Sequence, residues 1–301
     1  MKNHKFIIST DTSADCFKSF LKENNVYCII MKRIIDGKEI GELYDSVAEF
    51  EGFYDEIKKG ALPTTTQLNS YELQAYFENI ISKEKEGDII HIPLSSGLSG
   101  SCENAKVTAE EINKNLSGRK IYVVDSLHAT IGMTMLIHKL IEMRNEGLET
   151  LDAIKKIENI REHQQTWIIV SDLFHLKRGG RIGGVKATLG TLLNVKPILI
   201  ISASGRLVIE NKVKGDRKAV NYILDKVKKL GDDARPDFLD NPIYLFRTSA
   251  NERYDLLKKE IKEKYPDAKI KESIVGPIIG THLGCGCALI SFEGAERIDI
   301  C

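Results

Sequence analysis

Two clusters of hydroxyl side chains supply the residue types best suited to bind a small anion. The first cluster, Ser95-Ser-Gly-Leu-Ser-Gly-Ser101, follows an apolar run over residues 88–94 that is typical of a buried strand. Glycine lets the chain bend close to a ligand, and the helix expected after Ser101 would add free backbone N–H groups. The four serine hydroxyls are therefore expected to converge on one negative group. A simpler interpretation is a polar turn in which Ser99 or Ser101 only caps the helix.

The second cluster, Pro63-Thr-Thr-Thr-Gln67, also stands at the entrance to a helical pattern. Taken alone, a turn of this composition is ordinary loop chemistry, with Ser70 as the expected N-cap of the following helix. Two hydroxyl clusters in the same half of the chain instead favour one shared ligand. The pair, rather than either cluster, is the candidate site.

Composition argues against several classes of partner. The 301 residues carry 43 basic and 43 acidic side chains and have a pI near 7.0, whereas binding to nucleic acid or to anionic membranes normally requires a basic excess. The apolar runs are far shorter than the ~18 residues needed to span a bilayer, and no secretory signal pattern opens the chain. We expect a cytoplasmic protein with no nucleic acid partner and no integral membrane segment.

Cysteine usage predicts a reduced protein without a bound metal. Six cysteines in a chain of 301 residues are too sparse for a disulfide framework. Cys285 and Cys287 could supply half of a metal site, but the sequence has no second Cys/His pair at ligand spacing. We therefore interpret both as ordinary thiols and expect no metal.

The first half of the chain alternates apolar runs with helical periodicity. Strands are predicted near residues 5–9, 27–31, 88–94 and 120–124, with helices between them and after them. The clearest helix has one apolar stripe, formed by Leu73, Tyr76, Phe77, Ile80 and Ile81. Such a β-α repeat predicts a mostly parallel sheet, in which ligands bind beyond the carboxyl ends of the strands. Asp11, Ser95 and Asp125 fall at those ends.

The pattern changes after a helix near residues 150–163. We predict an N-terminal α/β domain over residues 1–162, which holds the hydroxyl clusters, and a C-terminal α+β domain over residues 163–301. In the second domain strands are predicted at 166–171, 196–202, 241–248, 268–275 and 287–292, and helices at 216–230 and 251–264. A broken helix and turn are predicted over residues 173–182.

Seven short motifs, in the same order, resemble those of the DegV family of fatty-acid-binding proteins. They are Ser9-Thr-Asp-Thr-Ser-Ala-Asp15, Pro63-Thr-Thr-Thr-Gln67, Ser95-Ser-Gly-Leu-Ser-Gly-Ser101, Val124-Asp-Ser126, Arg178-Gly-Gly-Arg-Ile182, Lys196-Pro-Ile-Leu199 and Gly280-Thr-His-Leu-Gly284. The resemblance covers nearly the whole chain. It departs at Ser101, where the family usually has Thr, and at Cys285, where the family usually has Pro. The loss of proline could alter the loop expected to carry His282.

This resemblance implies a carrier rather than an enzyme. Two α/β domains are expected to enclose one long-chain fatty acid, of the palmitate, stearate or oleate class, in a tunnel covered by the C-terminal domain. Bacterial members of the family present the acid to a separate ATP-dependent fatty acid kinase, which makes acyl-phosphate for phospholipid synthesis. No cofactor is implied besides the bound fatty acid.

The family motifs also imply specific site residues. The expected ligand-binding residues are Thr65, Ser96 and His282, with Ser95, Thr66 and Gly97 beside them. For His282 the plainer alternative is a structural histidine in a glycine-rich loop. The basic residues expected near the mouth of the tunnel, where the kinase and its ATP would approach, are Arg178, Arg181, Lys212, Lys214 and Arg217. Among these Arg181 is the favoured partner contact, and a solvated basic face is the alternative.

Two other functions remain open at this point. A stand-alone serine hydrolase would use Ser99 as its nucleophile, but the turn has Ser101 where a nucleophile elbow needs glycine. A transferase acting on a phosphate ligand would need a phosphate-binding loop. The sequence contains neither the Gly-x-x-x-x-Gly-Lys-Ser/Thr motif nor dinucleotide spacing in the glycines of residues 179–184.

Overall fold

The change of pattern along the chain produces separate sheets in its two halves. The computed structural model describes residues 5–171, 173–182 and 194–299. The first half contains β1 (Phe6–Asp11), α1 (Lys18–Glu23), β2 (Val26–Ile29), β3 (Arg33–Ile35), β4 (Lys38–Ile40), α2 (Val47–Lys58), β5 (Thr64–Thr65), α3 (Ser70–Lys83), β6 (Asp88–Ile92), α4 (Ser101–Asn113), β7 (Ile121–Val123), α5 (Ile131–Asn145) and α6 (Thr150–His163). The second half contains β8 (Gln164–Ile169), α7 (Phe174–Gly179), β9 (Val195–Ile201), β10 (Leu207–Lys214), α8 (Asp216–Val227), β11 (Ile243–Arg247), α9 (Glu252–Lys264), β12 (Ile270–Ile274), α10 (Pro277–Leu283) and β13 (Ala288–Glu293).

The N-terminal sheet is parallel, which confirms the fold class predicted from the β-α repeat. Its strand order is β2-β1-β6-β7, so β1 and β6 lie at the centre. Successive residues of a strand face opposite sides, and both sides are covered here. Ile7 and Ile89 pack with α3 and α4, whereas Ile8 and Ile90 pack with α5 and α6. Both central strands point their carboxyl ends at the turns that hold Asp11 and the serines.

A small antiparallel sheet, with the order β4-β3-β5, was not predicted. Its strands are only two or three residues long, too short to show an alternating pattern. It matters because β5 is part of the threonine cluster, and pairing with β3 places Thr65 opposite Arg33. Helix α3 then begins at Asn69, whose side chain accepts a hydrogen bond from the N–H of Glu72 in a capping box. The N-cap is therefore Asn69 and not Ser70.

The C-terminal sheet has six strands in the order β10-β9-β8-β13-β11-β12. All neighbours are antiparallel except β11 and β12, which confirms the predicted α+β character. Alternation along β8 separates its two faces: Trp167 and Ile169 pack beneath α8 and α9, while Ile168 joins the core shared with the N-terminal sheet. The face that carries Ile168 is the one that can line a cavity between the sheets.

Helix α5 lies between the two sheets. It packs against β1 on one side and against β8, β11 and β13 on the other, and it is buried almost all round. The six-stranded sheet begins at Gln164, directly after α6. Within the described parts of the chain, no helix combines the length and the apolar character needed to cross a bilayer.

Two predicted segments differ from the structure, and one observed strand was not predicted. The helix expected over residues 216–230 ends at Val227 and continues as a π turn over Lys228–Asp232. Strand β10 was not predicted, because its exposed face alternates charged and apolar residues only weakly. The Gly280–Gly284 motif, expected to be a loop, lies mostly in α10, whose first residue Pro277 follows the N-cap Gly276.

Candidate functional site

An apolar cavity lies between the N-terminal parallel sheet and the inner face of the six-stranded sheet. It is narrow and contains about 640 Å³ of space between protein atoms, part of it open to solvent. Its apolar walls are formed by Met31, Leu94, Leu98, Ala129, Ile168, Leu176, Ile201, Leu207, Ile278, Ile279 and Leu283. Its polar walls are formed by Thr65, Thr66, Gln67, Ser99, Thr130, Arg181 and His282. This is the composition expected for a ligand with a long apolar body and one polar group.

Thr65 and His282 form the polar centre of the cavity. Strand β5 and the last turn of α10 bring them together from opposite ends of the sequence, with Thr65 Oγ1 2.9 Å from His282 Nε2. The other ring nitrogen, Nδ1, is buried without a hydrogen-bond partner. Burial, followed by the positive charges of Arg181 and Arg178, lowers the pKa of His282 to about 4. The ring is therefore neutral at pH 7 and can donate one hydrogen bond.

Two glycines fix the environment of His282. A Cβ on Gly179, at the end of α7, would clash with the imidazole, so α7 can pack directly over the ring. Gly284, at the C-cap of α10, has φ 71° and packs against His175. The thiol of Cys285 follows and donates to the carbonyl of Tyr54 at 3.6 Å. The departure from proline at Cys285 therefore comes after the helix that positions His282.

The four serine hydroxyls do not converge, so that prediction is wrong. Ser95 Oγ donates to the carbonyl of Gly205 at 2.8 Å, and Ser96 is exposed with its N–H donating to Asp125 Oδ1 at 3.2 Å. Ser101 Oγ accepts the N–H of Leu68 at 3.0 Å. Of the serines, only Ser99 lines the cavity.

The simpler interpretation, in which Ser99 or Ser101 caps the helix, is also wrong. The N-cap of α4 is Gly100, without a side-chain cap hydrogen bond. The hydroxyls of Ser99 and Ser101 lie 3.0 Å apart. Ser99 pairs with Ser101 and His282 pairs with Thr65, so the histidine in the cavity wall does not pair with Ser99 as the base of a serine hydrolase would.

The serine turn holds other parts of the molecule in place. Through Ser95 and Gly97 it packs on the turn between β9 and β10: a Cβ on Gly97 would stand 2.7 Å from the carbonyl oxygen of Gly205. Through Ser101 it fixes the chain that leaves the threonine cluster. The turn therefore joins the carboxyl edge of the first sheet to the second sheet.

The two aspartates predicted at the sheet edge are also structural. Asp11 is fully buried and accepts the N–H groups of Leu94 at 2.8 Å and Ser13 at 2.9 Å. Burial raises the pKa of its carboxyl, although these hydrogen bonds oppose the rise. Asp125 accepts the N–H groups of Ser96 and Leu127. Both carboxylates stabilise the turns and do not line the apolar cavity.

The predicted basic residues are divided between different places. Arg181 is exposed and lines the cavity, and Arg178 donates to the carbonyls of Leu62 and Pro63 just before the threonine cluster. The other three do not line the cavity: Lys212 and Lys214 lie on β10, and Arg217 lies on α8. Arg217 forms an ion pair of 2.8 Å with Glu260 of α9, in the helical layer on the far face of the sheet.

Several cavity residues were missed by sequence reasoning. Ile278 and Ile279 follow Pro277, and the Gly-Pro start of a helix was the available signal for them. Ala129 and Thr130 follow the fourth predicted strand, residues 120–124, where a ligand edge was expected. No local pattern marks Leu207 or Ile201, because their role depends on how the two sheets pack.

The fold and the site define a class: a two-sheet α/β protein with a narrow apolar cavity and a threonine–histidine pair in its wall. The model of the family described as "Uncharacterised protein, DegV family" matches residues 5–294. The chain belongs to the DegV family. It is 30% identical over 294 residues to a DegV domain-containing protein of Clostridium perfringens, covering 97% of this chain and 99% of that protein.

Solved structures of the same family are similar over the whole chain. DegV of Bacillus subtilis, described as a fatty acid binding protein, has a TM-score of 0.80 and 27% identity, covering 97% of this chain and 99% of that one. The fatty acid binding DegV family protein SAG1342 of Streptococcus agalactiae has a TM-score of 0.83 and 25% identity, covering 97% and 100%. A stearic acid-binding protein of Eubacterium ventriosum has a TM-score of 0.82 at 21% identity and shares the fold.

Proposed function

We propose that this protein binds one long-chain fatty acid in the apolar cavity, with the carboxylate at Thr65 and His282. The observation that carries the proposal is the threonine–histidine pair in the wall of a cavity that is otherwise mostly apolar. Fatty acid binding by the relatives from Bacillus subtilis and Streptococcus agalactiae supports it.

The chemistry of the walls suits the two ends of such a ligand. Burial of a methylene group contributes about 0.8 kcal/mol, so the tail supplies most of the affinity. A buried carboxylate is costly unless donors replace its water. When the Nε2–H of the neutral His282 ring donates to Thr65 Oγ1, the Thr65 hydroxyl can donate to the carboxylate, and Thr66 and Ser99 add two further hydroxyls in the cavity wall.

The site proposed here differs from the sequence prediction in its serine. Ser96 is exposed and Ser95 donates to Gly205, whereas Ser99 lines the cavity. We therefore include Ser99 among the carboxylate donors in place of Ser95, Ser96 and Gly97. Arg181, exposed at the wall of the cavity beside His282, supplies a positive charge near the head group.

We further propose that the protein is a cytoplasmic carrier for a separate ATP-dependent fatty acid kinase, in a route to phospholipid. In that reaction a carboxylate oxygen attacks the γ-phosphorus of ATP, the bond to the bridging oxygen breaks, and ADP leaves as acyl-phosphate forms. The carrier holds the carboxylate, and the kinase supplies the nucleotide and its catalytic groups. A guanidinium such as that of Arg181 is suited to contact phosphate oxygens at the interface.

Extraction and a coupled assay test this proposal. We expect organic extraction of the purified protein, followed by mass spectrometry, to yield one fatty acid per chain. With a fatty acid kinase and ATP, Thr65→Ala should lower acyl-phosphate formation about tenfold, the factor for about 1.4 kcal/mol of hydrogen bonding. Thr64→Ala is the matched control, because Thr64 is the exposed neighbour on the same strand and does not line the cavity. Equal loss in both variants, or no loss in Thr65→Ala, contradicts the proposed role of Thr65.

A further inference from the structure

A second, smaller cavity adjoins the apolar cavity. It contains about 350 Å³ of space between protein atoms, part of it open to solvent. Met31 and Ile278 belong to the walls of both cavities, so the two spaces are neighbours at these side chains. The wall of this side cavity includes the charged residues Asp15, Arg33 and Glu42, whereas that of the apolar cavity includes Arg181.

Asp15 is buried in that wall without a partner. Asp15 is 3% exposed, and neither of its carboxyl oxygens makes a hydrogen bond. The Thr130 hydroxyl and the Gly276 N–H lie close enough to oppose the effect of burial, but neither has normal hydrogen-bond geometry. Burial raises the pKa of Asp15 to about 7. The carboxyl group therefore retains its full capacity to accept, or when protonated to donate, a hydrogen bond.

Thr130 has a second polar group without a hydrogen-bond partner, and it lies close to Asp15. Thr130 is 1% exposed, it lines the apolar cavity, and its Oγ1 has no hydrogen-bond partner. Its N–H donates to the carbonyl of Ser13 at 2.8 Å, which holds the residue at φ 45°, an unfavourable conformation for a β-branched side chain. The surrounding chain therefore fixes the backbone of Thr130 at the cavity wall.

Arg33 lies in the wall of the same side cavity, and its Nε atom is buried without a hydrogen-bond partner. The guanidinium of Arg33 pairs with Glu42 at 3.7 Å and lies 5.5 Å from the centre of the Phe53 ring. Among the described residues, no ion pair within 4.0 Å joins Arg33 to Asp15. Leaving a buried polar group without a partner costs about 1–3 kcal/mol, so a ligand group that satisfied Asp15 and Thr130 would recover part of that cost.

We propose that Asp15 and Thr130 form a subsite for a hydroxyl group carried on the acyl chain, so that the protein favours hydroxylated long-chain fatty acids. The inference rests on the proposed function and names its ligand class. A hydroxyl has one donor and two lone pairs, so it can bond to the carboxyl of Asp15 and the hydroxyl of Thr130 at once. An unsubstituted acyl chain has no hydrogen-bonding group, so it leaves the Asp15 carboxyl and the Thr130 hydroxyl without a partner.

Competition binding with matched acids tests the inference. The purified protein, stripped of lipid, would be titrated with octadecanoic acid and with its 10-, 12- and 18-hydroxy derivatives. We expect at least one hydroxy acid to bind about tenfold more tightly than octadecanoic acid, since one hydrogen bond to a buried group contributes about 1.4 kcal/mol. Thr130→Val, which keeps the branched shape and removes the hydroxyl, should abolish that ratio.

The controls separate this inference from the proposed function. Thr108→Val is the matched control, because Thr108 is a buried threonine of α4 whose hydroxyl bonds within its own helix, and it should keep the ratio. Asp15→Leu provides an independent second variant, which should also abolish the preference if Thr130→Val does not fold. If the wild-type protein binds octadecanoic acid but no hydroxy acid more tightly, the subsite is wrong and fatty acid binding stands. If it binds none of these acids, both proposals fall.

Discussion

The two hydroxyl clusters are alike in sequence and differ in what they contact. The threonine cluster places Thr65 against His282 in the wall of the apolar cavity. The serine turn directs Ser95 to a backbone carbonyl and Ser101 to a backbone N–H. A hydroxyl near the end of a strand can therefore serve a ligand or hold a turn. Its partners in the folded chain, rather than its residue type, decide which.

The largest expected effect tests the structural role of the serine turn. Gly97→Ala would place a Cβ 2.7 Å from the carbonyl oxygen of Gly205, and backbone cannot move away as a flexible side chain can. We expect the free energy of unfolding to fall by about 2 kcal/mol, measured by denaturant titration. Gly52→Ala is the control: Gly52 lies in α2 with no atom within 4 Å of the new Cβ, and the change should stabilise by about 0.5–1 kcal/mol. An unchanged unfolding free energy in Gly97→Ala would show that the turn is not a rigid joint.

A smaller effect separates the two serines that the sequence could not rank. Ser99→Ala removes a hydroxyl from the cavity wall and should weaken fatty acid binding about threefold to tenfold. Ser96→Ala should change affinity less than twofold, because Ser96 is exposed and contributes its backbone N–H to Asp125. Isothermal titration with one fatty acid measures both. If Ser96→Ala weakened binding more than Ser99→Ala, the carboxylate would instead bind at Ser96, as the family motif implies.

The sequence predicted the fold because its patterns are local. The apolar runs around Ile7 and Ile89 and the apolar stripe of α3 each require only neighbouring residues, and these elements form as expected. The three-stranded sheet was missed because strands of two or three residues have no measurable period. Helix α10 was missed because its glycines resemble a loop, although Pro277 marks its start.

The candidate site was only partly predictable, for a physical reason. Thr65 and His282 are 217 positions apart, so their contact depends on how β5 and α10 pack, and only the family resemblance could pair them. The serine turn was misjudged because sequence reasoning counted its hydroxyls without their partners. The Gly205 carbonyl that takes up Ser95 lies 110 positions away. Long-range contacts of this kind carry the functional assignment of each hydroxyl.

The position of the fatty acid carboxylate is the most direct test of the whole account. A long-chain fatty acid labelled with ¹³C at its carboxyl carbon should give a single protein-bound resonance, displaced from that of the free acid. We predict that Thr65→Val shifts this resonance strongly, while Thr64→Val, on the same strand but outside the cavity wall, leaves it in place. A bound resonance that is unchanged in Thr65→Val but moves in Ser96→Ala would contradict the account.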